Sequence, residues 1–260
     1  MTQITATHSP EGASNAAIAA TYIDHMGSDL SVVNAARVSF GKKSHCTETK
    51  WVEMGDWSGD MPVVDDRDTK LIKYLAKHKH ISPFGHAFAS FHVKAPIFVA
   101  RQLVKHKFLR WNEISRRYVD DEPEFYEPDV WRGRSADKKQ GSEGEVVLGS
   151  YVVDRTYEGD FGRYEGAVYD VDDYNRLALD MYEGLMQQGV APEQARMLLP
   201  QSTMTEFYWS GSLDAFADMC RLRCKEDTQY ESRIVANQIS TIMQDLYPVS
   251  WASLMEKKND

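Results

Sequence analysis

Residues 82–107 read SPFGHAFASFHVKAPIFVARQLVKHK. Ser82-Pro83 ends whatever helix precedes it, because a proline pushes the residue before it out of the helical region. From Ala87 to Val93 the residues alternate, with the two-residue period of a strand that buries one face. Pro96 then suits the first turn of a new helix, IFVARQLVKHK, where its missing N–H is not needed. A strand followed at once by a helix places the chain among folds that mix both.

Working outward, Asp65 to His80 reads as a helix, with Asp68 a possible cap and Leu71, Ile72 and Leu75 on its apolar face. Leu30 to Phe40 carries apolar residues at helical spacing, and residues 1–20 read as a loose, small-residue lead-in. Residues 41–66 read as irregular, punctuated by Gly41, Gly55, Gly59 and Pro62. Downstream, FLRWNEISRRY (108–118) has no clean period, and 119–150 reads as an irregular surface insertion. Roughly 152–188 reads as helical, ending near Gly189, and Pro192 opens a short helix closed by Pro200. Thr203 to Trp209 reads as a strand. Ser212 caps a helix to about Cys224, and Asp227 another to about Tyr247. No repeat or linker stands out, so one α+β domain spanning 1–260 is the simplest organisation.

The 260 residues are long enough to bury a substantial core. Hydrophobic residues at 42% and charged residues at 27% exclude disordered and low-complexity classes. The net charge of −9 argues against a general nucleic-acid or anionic-membrane binder. Three cysteines make no disulfide framework and suit a reducing compartment. The start, MTQITATHSPEGASNAA, lacks a basic segment followed by an apolar one, and no apolar run approaches a membrane span. A soluble, cytoplasmic protein is expected.

Charge is unevenly placed. Arg101, Lys105, Lys107, Arg110, Arg116 and Arg117 against Glu113 give the 101–118 segment +5, leaving −14 for the rest of the −9 chain. A local cationic patch in an acidic protein suggests a pocket for a small anion, with phosphate the obvious candidate. Basic residues at a helix end also favour its dipole, which covers Lys105 and Lys107 but not Arg116 and Arg117. On a helix over 212–224, Arg223 falls on the apolar stripe of Leu213, Phe216, Cys220 and Cys224. An arginine facing a core needs a partner, either a structural Asp or Glu, or a phosphate or base carbonyl.

Other chemistries lack support. His86 and His92 share a strand face but stand about 20 Å apart at strand rise, too far for one metal. No HExxH or paired CxxC occurs, so catalytic zinc is not indicated, and no metal is expected. No GxGxxG after a strand, P-loop or GxSxG elbow is present. Cys46, in a polar loop, reads as a free surface cysteine.

These residues together resemble the flavin-dependent thymidylate synthases, whose signature is an Arg-His-Arg triplet followed by a Ser-x-Asn-x-x-Ser-x-Arg-type stretch. Here it stands as Lys105-His106-Lys107, then Phe108 to Tyr118. The lead-in Phe91 to Gln102 is similar too, as are Ala35 to Phe40, Ser82 to His86, Ala195-Arg196 with Leu199-Pro200, Thr205 to Trp209, and Leu222-Arg223. The blocks cover roughly 30–40, 68–118 and 191–246, with irregular insertions near 41–66 and 119–150.

The resemblance implies an α+β fold with a central, mainly antiparallel sheet flanked by helices. It implies conversion of dUMP to dTMP, with methylenetetrahydrofolate as carbon donor and NADPH as reductant acting through FAD. Small-molecule substrates, no nucleic acid or membrane partner, and a homotetramer with active sites shared between subunits follow from it. By position, Gln102, Lys105, Glu113, Ile114, Ser115, Arg116, Arg117, Arg196 and Arg223 would line the nucleotide site. Ser39, His86, Lys105, His106, Lys107, Asn112, Glu113, Ser212 and Asp218 would contact the flavin. Arg117, Ser115 and His86 would carry or orient the chemistry, with Arg117 stabilising charge on the pyrimidine carbonyls.

Some positions depart from the family pattern. Lys105 and Lys107 replace arginines, keeping charge but losing the planar bidentate fork. Arg110 replaces the first signature serine, Gly85 an acid before the histidine, and Ser212 and Asp218 other flavin-contacting side chains. The alternatives are a related flavoenzyme on another pyrimidine nucleotide such as dCMP, a hydroxymethylating enzyme, or a non-catalytic nucleotide-binding relative.

Overall fold

The structure, a computed structural model, describes residues 17–119, 121–136, 142–148, 151–152 and 168–256. In chain order the first elements are β1 (Ala19–Met26), α1 (Asp29–Arg37), β2 (Glu48–Met54), β3 (Trp57–Val63), α2 (Asp66–Lys77), β4 (Phe88–Pro96), α3 (Ile97–Leu103) and β5 (Leu109–Glu113). The short strands β6 (Arg132–Arg134), β7 (Ser142–Glu145), β8 (Tyr151–Val152) and β9 (Val168–Tyr169) follow. Then come α4 (Val171–Gln187), α5 (Pro192–Ala195), β10 (Met204–Ser212), α6 (Leu213–Arg223), α7 (Tyr230–Leu246) and α8 (Pro248–Met255). The chain groups into two compact units. The larger holds Ile18–Ile114, Arg132–Glu145 and Thr205–Asp260; the smaller holds Ser115–Trp131 and Val146–Met204.

The larger unit is built on a four-stranded sheet in the order β1-β4-β10-β5, antiparallel at β1/β4 and β10/β5. The expected α+β class with a central antiparallel sheet flanked by helices is what the chain adopts. In β4 the alternation buries Ala89, Phe91, Val93 and Ala95 while Ser90, His92 and Lys94 take the other face. The inner face carries a chain of rings. Trp111 stacks on Phe207 at 3.5 Å, Trp209 meets Phe216 edge-on at 5.6 Å, and Phe216 meets Phe91 at 5.1 Å. The edge-on contacts add to the apolar area the rings bury. Tyr247, at the end of α7, donates its hydroxyl to the Phe88 carbonyl at 2.7 Å, which fixes the helix to β4.

Several boundaries differ from the sequence reading. Asp65, not Asp68, caps α2: its carboxylate accepts from Asp68 N at 2.7 Å. Asp68 instead turns inward and pairs with Arg37, and the two side chains are only 5% and 13% exposed. Residues 41–66, expected to be irregular, contain the β2–β3 hairpin, turned by Gly55-Asp56 with Gly55 at φ +54°. A two-residue loop led by a glycine of positive φ matches the twist of the strands it joins. β4 runs on to Pro96, which stands before α3 and not in its first turn. α3 stops at Leu103, four residues short of Lys107, and the chain turns through 104–108, where Phe108 takes a left-handed φ of +65° just before β5. β5 itself lies in the stretch that has no clean period.

Ser212 does stand at the start of α6, though its side chain makes no capping bond. α7 begins at Tyr230, three residues after Asp227, and α8, with Pro248 in its first turn, follows it. The insertion 119–150 contains the pair β6–β7 in the larger unit. In the smaller unit Phe125 bridges Thr203, and Met204 N donates to Glu124 O at 2.8 Å. The helix expected over 152–188 begins only at Val171, where Asp170 accepts from Asp173 N at 2.8 Å. Tyr151–Val152 pairs with Val168–Tyr169, and the rest of that expected helix, 153–167, lies outside the described residues, as does most of the lead-in 1–20. No helix among the described residues is long and apolar enough to cross a membrane.

Candidate functional site

The segment from α3 through β5 carries most of the candidate residues of the larger unit. Gln102, half-buried on α3, accepts through Oε1 from the Ser232 hydroxyl of α7. Glu113 ends β5 with both carboxylate oxygens engaged. Thr205 Oγ1 donates to Oε1 at 2.7 Å and Trp111 Nε1 donates to Oε2 at 3.1 Å. Two donors from two strands leave the carboxylate little freedom to rotate. Ile114 N donates to Glu206 O at 2.9 Å and extends the pairing of β5 with β10.

His106 lies in the turn between α3 and β5. Its Nε2 accepts from Arg223 Nε, at the end of α6, over 2.9 Å. Burial lowers the His106 pKa below its ordinary 6.5, the Arg223 guanidinium lowers it further, and Asp218 opposes them. Burial also lowers the pKa of Arg223. The apolar-stripe reading is thus met by a half-buried arginine whose protein partner is an imidazole, not a carboxylate. Asp218 lies one turn before Arg221 and is paired with it.

Next to this turn is a depression of about 550 Å³ whose lining includes Phe88, Phe108, Arg110, Gly211, Ser212 and Asp214. A Cβ at Gly211 would sit 2.4 Å from Leu109 Cδ2 and 3.1 Å from the Phe108 carbonyl, so a side chain here would displace Leu109 and press on the backbone where β10 meets β5. Lys105, Lys107 and Asn112 are exposed, and none has a side-chain partner among the described residues. The same holds for Ser39, within the 3-10 turn after α1, and for His86, which closes the 3-10 turn before β4.

The remaining candidates belong to the smaller unit. Ser115 Oγ accepts from Arg117 N at 3.4 Å and from Arg117 Nε at 3.2 Å, while Tyr118 N closes a turn onto Ser115 O at 2.9 Å. The Arg117 guanidinium lies 4.9 Å from the Tyr118 ring centre, which is cation–π range. Arg117 is therefore anchored by Nε and keeps its terminal nitrogens free. Arg116 points elsewhere: its Nη1 donates to the Asp121 carbonyl at 2.7 Å. Arg196 is exposed, with Nε on the Glu193 carbonyl at 3.3 Å.

Comparison with known proteins shows the family. Residues 21–249 match the family model of the thymidylate synthase complementing proteins. The chain is 37% identical over 234 residues to a flavin-dependent thymidylate synthase of Thermus thermophilus, covering 90% of this chain and 74% of that protein. The chain belongs to the flavin-dependent thymidylate synthase family. A second such synthase, from Thermosipho melanesiensis, is 33% identical, covering 90% of this chain and 89% of its own. Among solved structures, the UMP/dUMP methylase PolB of Streptomyces cacaoi bound with 5-Br dUMP superposes with a TM-score of 0.68. Its identity is 29%, over 92% of this chain and 95% of its own. PolB bound with 5-Br UMP gives a TM-score of 0.66 at 28% identity, over 95% and 97%.

Within the flavin-dependent synthase framework the donor set of the larger unit fits a phosphate-bearing flavin. Two lysines and an amide stand exposed and unpaired, and a neutral histidine lies between the lysines. The larger unit brings His106 together with Arg223, and the smaller one Ser115 with Arg117. Ser39, His86 and Asp218 join neither pair by hydrogen bond. The sequence reading missed the two residues that hold the candidates in place, Thr205 on Glu113 and Ser232 on Gln102. Thr205 lies in a block that marks the family. Ser232 sits inside a helix with no local signal, 130 residues from its partner.

Proposed function

We propose that this protein is a cytoplasmic flavin- and folate-dependent methylase that converts dUMP to dTMP, working as one catalytic domain in a homotetramer with shared sites. Methylenetetrahydrofolate is the carbon donor and NADPH the reductant. The observation that carries the reading is Arg223, a half-buried cation held by a neutral imidazole. Without an acid to neutralise it, its remaining guanidinium donors are suited to a pyrimidine carbonyl. Arg117, anchored through Nε by Ser115, supports the same reading. Its free terminal donors suit the negative charge that develops on the ring oxygens. Arg196 takes the nucleotide phosphate. Gln102, Lys105, Glu113 and Ile114 line the base and sugar, while Arg116 contributes backbone and its side chain holds the Asp121 turn.

FAD supplies hydride transfer when bound. Ser39, His86, Lys105, His106, Lys107, Asn112, Glu113, Ser212 and Asp218 serve to hold it. No protein thiolate is needed for this chemistry. Because PolB is described as a UMP/dUMP methylase and its structures carry both halogenated nucleotides, UMP is the second substrate to weigh. The test is the visible spectrum of the purified protein with FAD during separate titrations with dUMP, UMP and dCMP, followed by product analysis. A flavin band that shifts with dUMP, and dTMP formed on adding folate and NADPH, is the expected result. A response to UMP alone transfers the reading to the ribonucleotide. A response to dCMP alone, or no flavin bound at saturating FAD, ends it.

A further inference from the structure

A second concave site lies in the larger unit, between the loop after α1 and the start of α2. Its volume is about 460 Å³, and its lining is polar and charged, with Lys42, Lys43 and Arg67 prominent among the cations. The two acids that also line it are already committed. Asp65 caps α2, and Asp68 takes the Arg37 guanidinium and the Ser44 hydroxyl, the latter at 3.1 Å. Lys42, Lys43 and Arg67 have no acidic partner among the described residues. Three uncompensated cations around one concavity stand out in a chain of net charge −9.

The backbone that carries the lysines is fixed. Asn34 brackets Ser44, donating from Nδ2 to its carbonyl at 3.1 Å and accepting from its N–H at 2.7 Å. Lys42 N donates to Arg37 O at 3.2 Å, and Gly41 makes the turn at φ +62°. The Arg37–Asp68 pair ties the end of α1 to α2, and the Ser44 hydroxyl on Asp68 ties the loop to the same helix. A rigid loop presenting unpaired ammonium groups has already met much of the ordering cost of binding.

We infer that this pocket is a binding site for a multiply charged anion, of the phosphate-ester or oligocarboxylate class, separate from the residues assigned to the nucleotide and the flavin. None of its cations belongs to the catalytic or binding set described above, so the inference does not depend on the methylase reading.

The test is calorimetric titration of the full chain with pyrophosphate and, separately, with a triglutamate peptide, both in excess dUMP and FAD. Lys42→Gln/Lys43→Gln is expected to weaken binding of the preferred probe by about tenfold or more, since charge-assisted hydrogen bonds are lost. Lys42→Arg/Lys43→Arg should retain it, and rising salt should weaken it. Preference for pyrophosphate assigns phosphate esters; preference for triglutamate assigns oligocarboxylates. Equal affinity in the wild type and in both the Lys42→Gln/Lys43→Gln and Arg67→Gln variants overturns the inference, as does no binding of either probe at millimolar concentration. A protein that fails the flavin–dUMP test yet loses pyrophosphate binding in the lysine variant refutes the methylase reading and leaves this site standing.

Discussion

Arg223 Nε donates to His106 Nε2 at 2.9 Å, joining the end of α6 to the turn between α3 and β5. An imidazole nitrogen that accepts cannot carry a proton, so His106 is neutral, with its hydrogen on Nδ1. Burial and the adjacent guanidinium both favour that state. The pair orients both members. Arg223 is held through one of its five donors, and the imidazole is left with a single N–H to offer.

Removing the guanidinium should therefore raise the His106 pKa. Arg223→Gln is expected to move it up toward the ordinary 6.5, read from the imidazole resonances in an NMR titration. An unchanged pKa would mean that burial alone sets it. The sign for stability follows. A histidine with a lowered native pKa lets the unfolded chain bind more protons, so its contribution is present above 6.5 and is lost as pH falls through the native value. The wild type should lose stability on acidification over that window more steeply than Arg223→Gln.

Ser115 and Arg117 separate orientation from charge. Arg117→Ala should lower kcat about 100-fold or more, the usual cost of removing one group that stabilises developing charge. Ser115→Ala keeps the guanidinium but frees its Nε, so a loss of about tenfold is expected, mostly in kcat. Arg116→Ala should change KM little, because its guanidinium is spent on Asp121. Steady-state kinetics on the three variants check this. An Arg116 effect as large as that of Arg117 would return its side chain to the nucleotide.

The reach of the sequence reading has physical limits that these residues illustrate. β4 was legible because its alternation is unbroken from Ala87 to Val93. β5 was not, because none of its residues is fully buried and Glu113, on the face it shares with Leu109 and Trp111, is a carboxylate whose partner Thr205 comes from 92 residues away. The end of α3 was hidden because Val104 closes it in a right-handed conformation, with no glycine or asparagine to mark it, and the left-handed turn that leads into β5 falls on a phenylalanine at 108. The hairpin at 48–63 did carry a signal in Gly55-Asp56, but only a few of its side chains are buried and its alternation is faint. Arg223 was correctly placed on the inner stripe of α6. Its partner, 117 residues earlier, has no local trace.

Asp29 is a buried carboxylate, 2% exposed, that joins two helices of the larger unit. Its two oxygens accept from Val249 N and Ser250 N at 2.9 Å each, closing the start of α8 against the start of α1. Burial pushes its carboxyl pKa up, and these hydrogen bonds pull it back. Asp29→Ala leaves two buried donors unmet, at about 1–3 kcal/mol each. The melting temperature should fall by at least about 4 °C, at about 2–4 °C per kcal/mol for a chain of this size. Asp29→Asn keeps one acceptor and should lose about half as much. Thermal denaturation of the two variants measures the difference. Equal loss in both would show that charge, not acceptor count, matters.

The lysines of the signature segment give the last prediction. Lys105 and Lys107 are exposed, with no side-chain partner among the described residues, so changing them alters ligand contacts more than packing. A guanidinium adds a second parallel donor to each phosphate contact that an ammonium makes singly. If the lysines face the flavin phosphates, Lys105→Arg/Lys107→Arg should tighten FAD by about tenfold, one extra hydrogen bond being worth about 1–1.5 kcal/mol. Quenching of flavin fluorescence on titration reads the affinity directly. Lys105→Gln/Lys107→Gln should weaken it by at least as much, with the melting temperature unchanged. Tightening by arginine together with weakening by glutamine places both side chains on phosphate oxygens. No change in either pair would mean that the cofactor is held without the signature cations, and would remove Lys105 and Lys107 from the flavin site.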